Sequence, residues 1–320
     1  RDSADLLARD ALRRGLPPLY EEKDIDAALS LVHTLEYHTE KEVAPGLVAY
    51  LRPTGHILGS ASARIAGGGV SIALTSDIGN SPSPLLPDWE PVPDADALVM
   101  ESVYGDRLHP PRAERVATLR DALARAIARG GAILIPAFSL ERTQLMLYEL
   151  SNFFQAKELP QVPVFLDSPL AIKVTAVYEK WGPTYFKKET EDEIKREGSI
   201  FAFPFLKHTL SHEESIAIEK TPNPKIIIAG AGMSHGGRIG RWEARYLPDP
   251  STTLFIVGYQ SPGSPGRRIA EGASSARING AEVRVKAKVE NLQGWSAHAD
   301  RDELLKFAEA ALANKRPKVI

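Results

Sequence analysis

The feature that most constrains the fold is an alternation of short apolar segments with helical segments between about residues 97 and 257. The apolar segments are rich in Ile, Leu and Val, and the intervening segments carry apolar residues at helical spacing. This order is typical of βαβ units, whose strands run parallel. We predict an α/β protein with a mostly parallel sheet. The predicted strands are 97–100, 132–135, 164–166, 225–229 and 253–257, and the predicted helices include 112–129, 143–150 and 238–246.

The segments on either side of this alternation have a different pattern. A short strand is predicted at 48–51, and a second strand follows the small-residue turn at 58–61. The glycine turn at 67–69 joins that second strand to a third at 70–74, which predicts a hairpin. Side-chain types alternate over 283–289, which predicts one further strand. A helix is expected after it, with Ser296 or Asp300 as its cap.

Composition excludes several kinds of site and partner. Cysteine is absent, which excludes disulfides, cysteine-zinc sites and thiol chemistry and fits a reducing compartment such as the cytoplasm. Lys and Arg number 39 against 41 Asp and Glu, so a polyanion would have to be held by a local patch rather than by net charge. No apolar run approaches the ~20 residues of a membrane span, and we expect no membrane partner.

Both ends of the sequence resemble internal positions of a longer protein. Residue 1 is Arg rather than Met, and Lys318–Ile320 reads as the start of a strand after Pro317. A domain rarely stops at the first residues of a buried strand. We therefore expect truncation at one or both ends.

Acidic residues follow several of the predicted strands. Asp77, Glu101 and Asp167 stand where strands end, at the edge where open α/β sheets bind ligands. His56 lies in GHILGSA, whose small residues allow a tight turn that aims the imidazole. A lone histidine is more often structural than a ligand, but an imidazole and a carboxylate on neighbouring loops suit zinc or manganese. The pairing of His56 with Asp77 therefore predicts a metal site.

His298 stands at a predicted helix start, where the helix dipole disfavours a protonated imidazole. A general acid needs that proton, so a carboxylate would have to hold it. Glu101 is the candidate partner, because a Glu–His pair would orient the ring and raise its pKa. The alternative is that His298 only begins the helix.

Two glycine-rich loops could bind phosphate through backbone N–H groups. The first is Gly230–Arg238, which follows a strand and opens a helix, and the second is Ser261–Arg268, which carries two arginines. Neither matches a nucleotide-binding motif, so each signal is weak by itself.

Eight short segments occur together in a fixed order, and together they resemble the β-CASP branch of the metallo-β-lactamase superfamily. That branch contains bacterial RNA-processing nucleases and the cleavage-and-polyadenylation endonuclease. The resemblance covers nearly the whole chain. The segments are GHILGSA, TSDIGN, ESVYGDR, IPAFSLERTQ, LDSPLA, AGAGMSHGGR, VGYQSPGSPGRR and SAHAD.

The resemblance implies an αββα metallo-β-lactamase domain, incomplete here, with an α/β β-CASP domain inserted into it. We expect residues 1–105 to belong to the first domain, 106–288 to the inserted domain, and 289–320 to the return to the first. The inserted domain would grip RNA.

The resemblance also assigns roles to residues. His56 and Asp77 are implied as zinc ligands, with Glu101, Asp77 and His298 as the catalytic residues of a ribonuclease that uses two zinc ions. His298 would protonate the leaving oxygen. RNA phosphates are expected to contact Arg142, Ser168, Gly232, Gly236, Gly237 and Arg267.

Two motifs of the resembled family are not found in the chain. HxHxDH would precede the segment that here is Asp2–Ala4, and a VHGE-like motif would follow Ile320. Zinc usually takes four ligands, so His56 and Asp77 alone do not make a dinuclear site. We therefore expect these 320 residues by themselves to be inactive.

Other functions stay open on the sequence alone. One is a catalytically inactive RNA-binding scaffold of the same fold, and another is a metal hydrolase of DNA or a small phosphoester. The retention of His56, Asp77, Glu101 and His298 favours the nuclease. The sequence leaves open whether the protein forms a homo-oligomer.

Overall fold

The computed structural model describes residues 2–313, so the predicted strand at Lys318–Ile320 lies outside the described residues. The chain opens with helices α1 (Asp2–Arg14) and α2 (Glu22–Ser30). No helix in the described part is both long and apolar enough to cross a lipid bilayer.

A five-stranded sheet follows, with its strands in chain order. Its strands are β1 (Glu40–Ala44), β2 (Leu47–Pro53), β3 (Ala61–Gly67), β4 (Val70–Leu74) and β5 (Ala97–Val99). The first four are antiparallel, and β5 pairs parallel with β4. The predicted hairpin at the glycine turn is confirmed, whereas β1 was not predicted.

The second sheet has six strands, which are β6 (Ala132–Pro136), β7 (Val164–Leu166), β8 (Leu206–His208), β9 (Lys225–Ala229), β10 (Thr253–Ile256) and β13 (Lys288–Asn291). Their order across the sheet is β13-β10-β6-β9-β7-β8, and every pairing is parallel. This confirms the predicted α/β class with its parallel sheet. The helices between residues 112 and 270 are α3 (Arg112–Arg129), α4 (Arg142–Gln155), α5 (Pro169–Tyr185), α6 (Lys188–Glu197), α7 (His212–Ala217), α8 (Gly237–Tyr246) and α9 (Pro265–Ala270).

The central strands are buried on both faces, which explains their unbroken apolar sequences. Alternate residues of β6 serve two separate cores. Ile133 and Ile135 pack in a core that includes residues of α3, α4 and α5. Ala132 and Leu134 pack in a second core that includes residues of α8 and α9. The sheet is therefore a middle layer between two helical layers.

The strand predicted at 283–289 is wrong as a single element. Residues of β12 (Ala281–Arg284) pair antiparallel with β11 (Ser275–Ile278), whereas β13 pairs parallel with β10 in the large sheet. Between them the backbone N–H groups of Lys286 and Ala287 both donate to the carbonyl of Leu247. That contact turns the chain from one sheet to the other.

After β13 the chain returns to the five-stranded sheet. Helix α10 (Arg301–Ala311) packs Leu304 and Phe307 against Ala73 and Leu98 of that sheet. Of the two caps considered, Asp300 is the N-cap, and its carboxylate accepts from the backbone N–H groups of Asp302 and Glu303. The domain boundaries at 105/106 and 288/289 stay predictions.

Candidate active site

Three of the predicted site residues meet at one edge of the five-stranded sheet. Donor atoms of His56, Asp77 and His298 all lie within 4.8 Å of one another. His56 Nε2 is 3.5 Å from Asp77 Oδ2, and the two imidazole ring centroids are 4.5 Å apart. Among the side chains that the structure describes, this is the one group of three placed to share a metal ion.

Hydrogen bonds to a serine hydroxyl and the close approach of a glycine hold the loop that carries His56. Ser60 Oγ accepts from the backbone N–H of His56 and from Thr54 Oγ1. The backbone N–H of Gly79 donates to the carbonyl of Thr54 at 2.8 Å. A Cβ on Gly79 would overlap the backbone of Gly55, so glycine is what lets the two loops touch. This contact places the imidazole beside Asp77.

His298 is fixed by backbone pairing to the loop that follows Asp77. Gly79 and His298 form an isolated antiparallel bridge. Next to it, Asn80 N–H donates to the carbonyl of Ala297, and Ala299 N–H donates to the carbonyl of Ile78. These bonds join residues more than 200 positions apart in the chain. They keep the His298 imidazole beside His56 and Asp77, and helix α10 begins three residues later, at Arg301.

Glu101 pairs with His298 as the sequence predicted. Both carboxylate oxygens lie 3.2 Å from His298 Nδ1, and the backbone N–H of Ile78 donates to Oε1. Burial alone would raise the pKa of Glu101, but the hydrogen bonds from His298 and Ile78 outweigh it and lower the pKa below its ordinary value. Glu101 is therefore an anion that orients the His298 ring and leaves its Nε2 for another partner.

The donor set fits a zinc ion in part. Burial, together with the neighbouring His298, lowers the pKa of His56, which favours the neutral imidazole that binds metals. His56 Nδ1 is buried and has no hydrogen-bond partner among residues 2–313. The Asp77 side chain is 55% exposed, so its carboxylate is open to an ion. An imidazole nitrogen and a carboxylate oxygen are both zinc ligands, and they supply part of the usual four.

Several predicted phosphate contacts lie at the carboxyl edge of the parallel sheet. Ser168 caps α5 by accepting from the backbone N–H of Ala171, and its Oγ lies 3.4 Å from Ser139 Oγ. Gly232 packs against the ring of Phe138. Gly236 faces open space directly before α8, and Gly237 lies against the backbone of Gly230. These groups line one loop cluster; that they contact RNA stays a prediction.

The two predicted arginines already have partners. Arg142 is buried, and its guanidinium donates to the carbonyl of Val257. Burial lowers the pKa of Arg142 to about 10. Arg267 Nε is 2.6 Å from Glu271 Oε1 in an exposed ion pair. In this conformation Arg142 supports the loop after β10, and Arg267 would have to leave Glu271 to meet a phosphate.

One contact at the site was not predicted. The phenol of Tyr178 in α5 accepts from the backbone N–H of Leu58 at 3.2 Å and donates to Glu141 Oε2 at 2.5 Å. Burial raises the pKa of Glu141 to about 7. The network ties the loop of His56 to the parallel-sheet unit. Nothing in the sequence around Tyr178 marks it, because its partner Leu58 is 120 residues away.

Two family models match parts of this chain. A family model described as the Beta-Casp domain matches residues 143–269, and a model described as the Zn-dependent metallo-hydrolase RNA specificity domain matches residues 282–319.

Curated relatives match almost the whole chain. Ribonuclease TTHA0252 of Thermus thermophilus is 34% identical over 95% of this chain and 70% of its own length. An RNase J-like protein of Methanocaldococcus jannaschii is 31% identical over 95% of this chain and 71% of its own. Transcription termination factor FttA of Thermococcus kodakarensis is 32% identical over 99% of this chain, which spans 50% of that relative.

Proposed function

This chain belongs to the β-CASP family of the metallo-β-lactamase superfamily, and on that premise we propose that it is the core of a zinc-dependent ribonuclease. The observation that carries the proposal is the grouping of His56, Asp77, Glu101 and His298 at one edge of the sheet. A donor pair beside an oriented acid–base pair is the arrangement that phosphodiester hydrolysis needs.

His56 and Asp77 would hold zinc, which when bound supplies positive charge to polarise a phosphoryl oxygen. The chain's own contribution is the Glu101–His298 pair. Glu101 holds Nδ1 of His298, so Nε2 is the atom that donates a proton to the leaving oxygen. The backbone bridge between Gly79 and His298 keeps the His298 ring close to Asp77.

RNA is the substrate class that the comparisons favour, since the matched domain is described by its RNA specificity and two relatives are named as ribonucleases. We propose that the backbone N–H groups before α8 and the Ser168 hydroxyl hold phosphates of the strand. A second zinc ion, a cytoplasmic location and a homo-oligomeric state are further parts of the proposal. A second ion would need ligands beyond those in residues 2–313.

The test measures cleavage of a labelled RNA by two proteins. One consists of the 320 residues, and the other is the product of the longest open reading frame that contains them. We expect the 320 residues to bind RNA without cutting it and the longer product to cut it with zinc but not with a chelator. His298→Ala should lower cleavage by about 10²–10⁴-fold with RNA affinity unchanged, the usual worth of a positioned general acid. His33→Ala, an exposed histidine outside the cluster, is the matched control and should cleave normally.

Two results would contradict the proposal. Cleavage that persists in the presence of a chelator would contradict the proposed dependence on zinc. Full activity of His298→Ala would contradict the proposed role of His298 as the general acid. RNA binding without cleavage by every product would instead favour the inactive scaffold.

A further inference from the structure

A cleft of about 580 Å³ opens beside the candidate active site, and the proposed function does not use most of its wall. It lies where the loop after β5 meets the loops after β10 and β13. Among its lining residues are Tyr104, Arg107, Tyr259, Arg267 and Glu271.

Aromatic rings lead from His298 into this cleft. The ring centroid of Tyr104 lies 6.3 Å from that of His298, and the centroid of Tyr259 lies 6.4 Å from that of Tyr104 at an interplanar angle of 79°. Tyr104 is buried, whereas Tyr259 is 42% exposed. Tyr259 therefore has ring surface available to a ligand, and only the ring of Tyr104 separates it from His298.

The charges around Tyr259 are already neutralised. Arg107 pairs with Asp106 at 2.7 Å, and Arg267 pairs with Glu271 at 2.6 Å. This part of the cleft offers little net positive charge to a phosphate. What it offers is an aromatic surface, which suits a nucleobase better than a phosphate.

The backbone on either side of Tyr259 is held from beneath. Gln260 is buried, and its Nε2 donates to the carbonyls of Gly232 and Gly258. The buried Arg142 guanidinium donates to the carbonyl of Val257. A ring on a fixed turn loses little freedom when it stacks on a base.

We propose that Tyr259 stacks on a base of a nucleotide flanking the one that is cut. The proposal rests on the proposed function and narrows its substrate class to RNA with unpaired bases at the site, because a base inside a duplex has no free face for the ring. Tyr259 is thus a binding residue for the base rather than for the phosphate backbone.

The test compares RNA affinity for three labelled strands in the presence of a chelator. The first is intact single-stranded RNA, the second is the same strand with every base removed, and the third is the duplex. We expect the original chain to prefer the intact strand. Tyr259→Ala should weaken that binding about 10-fold and leave the base-free strand and the duplex unaffected, since base–aromatic stacking is typically worth that factor.

Two further variants separate stacking from folding. Tyr259→Phe keeps the ring and should bind as the original chain does. Tyr259→Leu keeps apolar bulk without the ring and should behave as Tyr259→Ala. Unchanged affinity of Tyr259→Ala for the intact strand, or an equal loss for the intact and base-free strands, would overturn the stacking proposal alone. Failure of the original chain to bind any of the strands would overturn the proposed function with it.

Discussion

At the scale of single residues, one costly group in the parallel-sheet unit is a buried carboxyl. Glu243 of α8 is fully buried, and its Oε1 accepts from Ser234 Oγ at 2.5 Å. Its Oε2 has no hydrogen-bond partner among residues 2–313. Burial raises the pKa of Glu243 to about 7, so the folded protein keeps this carboxyl protonated where the unfolded chain ionises it. Ser234 belongs to the loop that we propose holds phosphates.

This predicts a pH-dependent stability that Glu243→Gln removes. Below the ordinary value of 4.5 both states are protonated; between 4.5 and about 7 only the unfolded chain ionises, so the free energy of unfolding falls as pH rises. Relative to the original chain, Glu243→Gln should gain about 3 kcal/mol between pH 4 and pH 8. Urea unfolding at both pH values measures it. Glu309→Gln, an exposed substitution in α10, should show the same pH dependence of unfolding free energy as the original chain. The same pH dependence in Glu243→Gln would disprove the assignment of this effect to Glu243.

The sequence located the candidate active-site residues better than the contacts around them, for a physical reason. Short segments of small residues surround His56, Asp77 and His298. Such segments are distinctive, so they identify these residues in the sequence. Their mutual distances depend on Gly79, whose close approach to Gly55 involves parts of the chain that no local pattern connects. The burial of Arg142 was equally hidden, because an arginine at the start of a helix usually faces water.

At the scale of elements, buried apolar strands and long amphipathic helices were predicted well, whereas short strands of exposed residues were not. The bounds predicted for α3 agree with the structure, because helical periodicity and a glycine stop act together there. The three-residue strand β8 has only partly buried or exposed residues and exists through its pairing with β7. The break inside 283–289 likewise comes from Leu247, which is distant in sequence. Tertiary hydrogen bonds decided these elements.

The substitution Tyr178→Phe should weaken the contact between helix α5 and the loop that carries His56. The variant keeps the ring but removes the bond to Leu58 N–H and leaves the buried Glu141 without its donor. We expect a loss of about 2–3 kcal/mol in the free energy of unfolding and faster hydrogen exchange at the Leu58 amide. Tyr148→Phe is the matched control, because it removes a bond to the half-exposed Glu193, which water can replace. Equal losses in the two variants would contradict a special role for Tyr178.

At the scale of the whole molecule, the two sheets differ in how they are covered. The parallel sheet has helices on both faces, whereas α10 covers one face of the five-stranded sheet. In β4 the small residues Ser71 and Ala73 point inward, and Val70, Ile72 and Leu74 are exposed. Leu74 pairs with Val99 of β5, which is also exposed. A contiguous row of large apolar side chains on a sheet face is uncommon on a monomer surface.

We therefore expect the 320 residues to associate through this face as concentration rises. Val70→Lys with Ile72→Glu would put opposite charges on it and should give a monomer over a tenfold range of concentration in sedimentation velocity. The free energy of unfolding should change by less than about 1 kcal/mol, because both side chains already face solvent. Val177→Lys with Leu305→Glu removes two equally exposed apolar residues from α5 and α10 and should leave the association intact. Association that survives the first pair, or that the second pair abolishes, would place the contact elsewhere on the molecule.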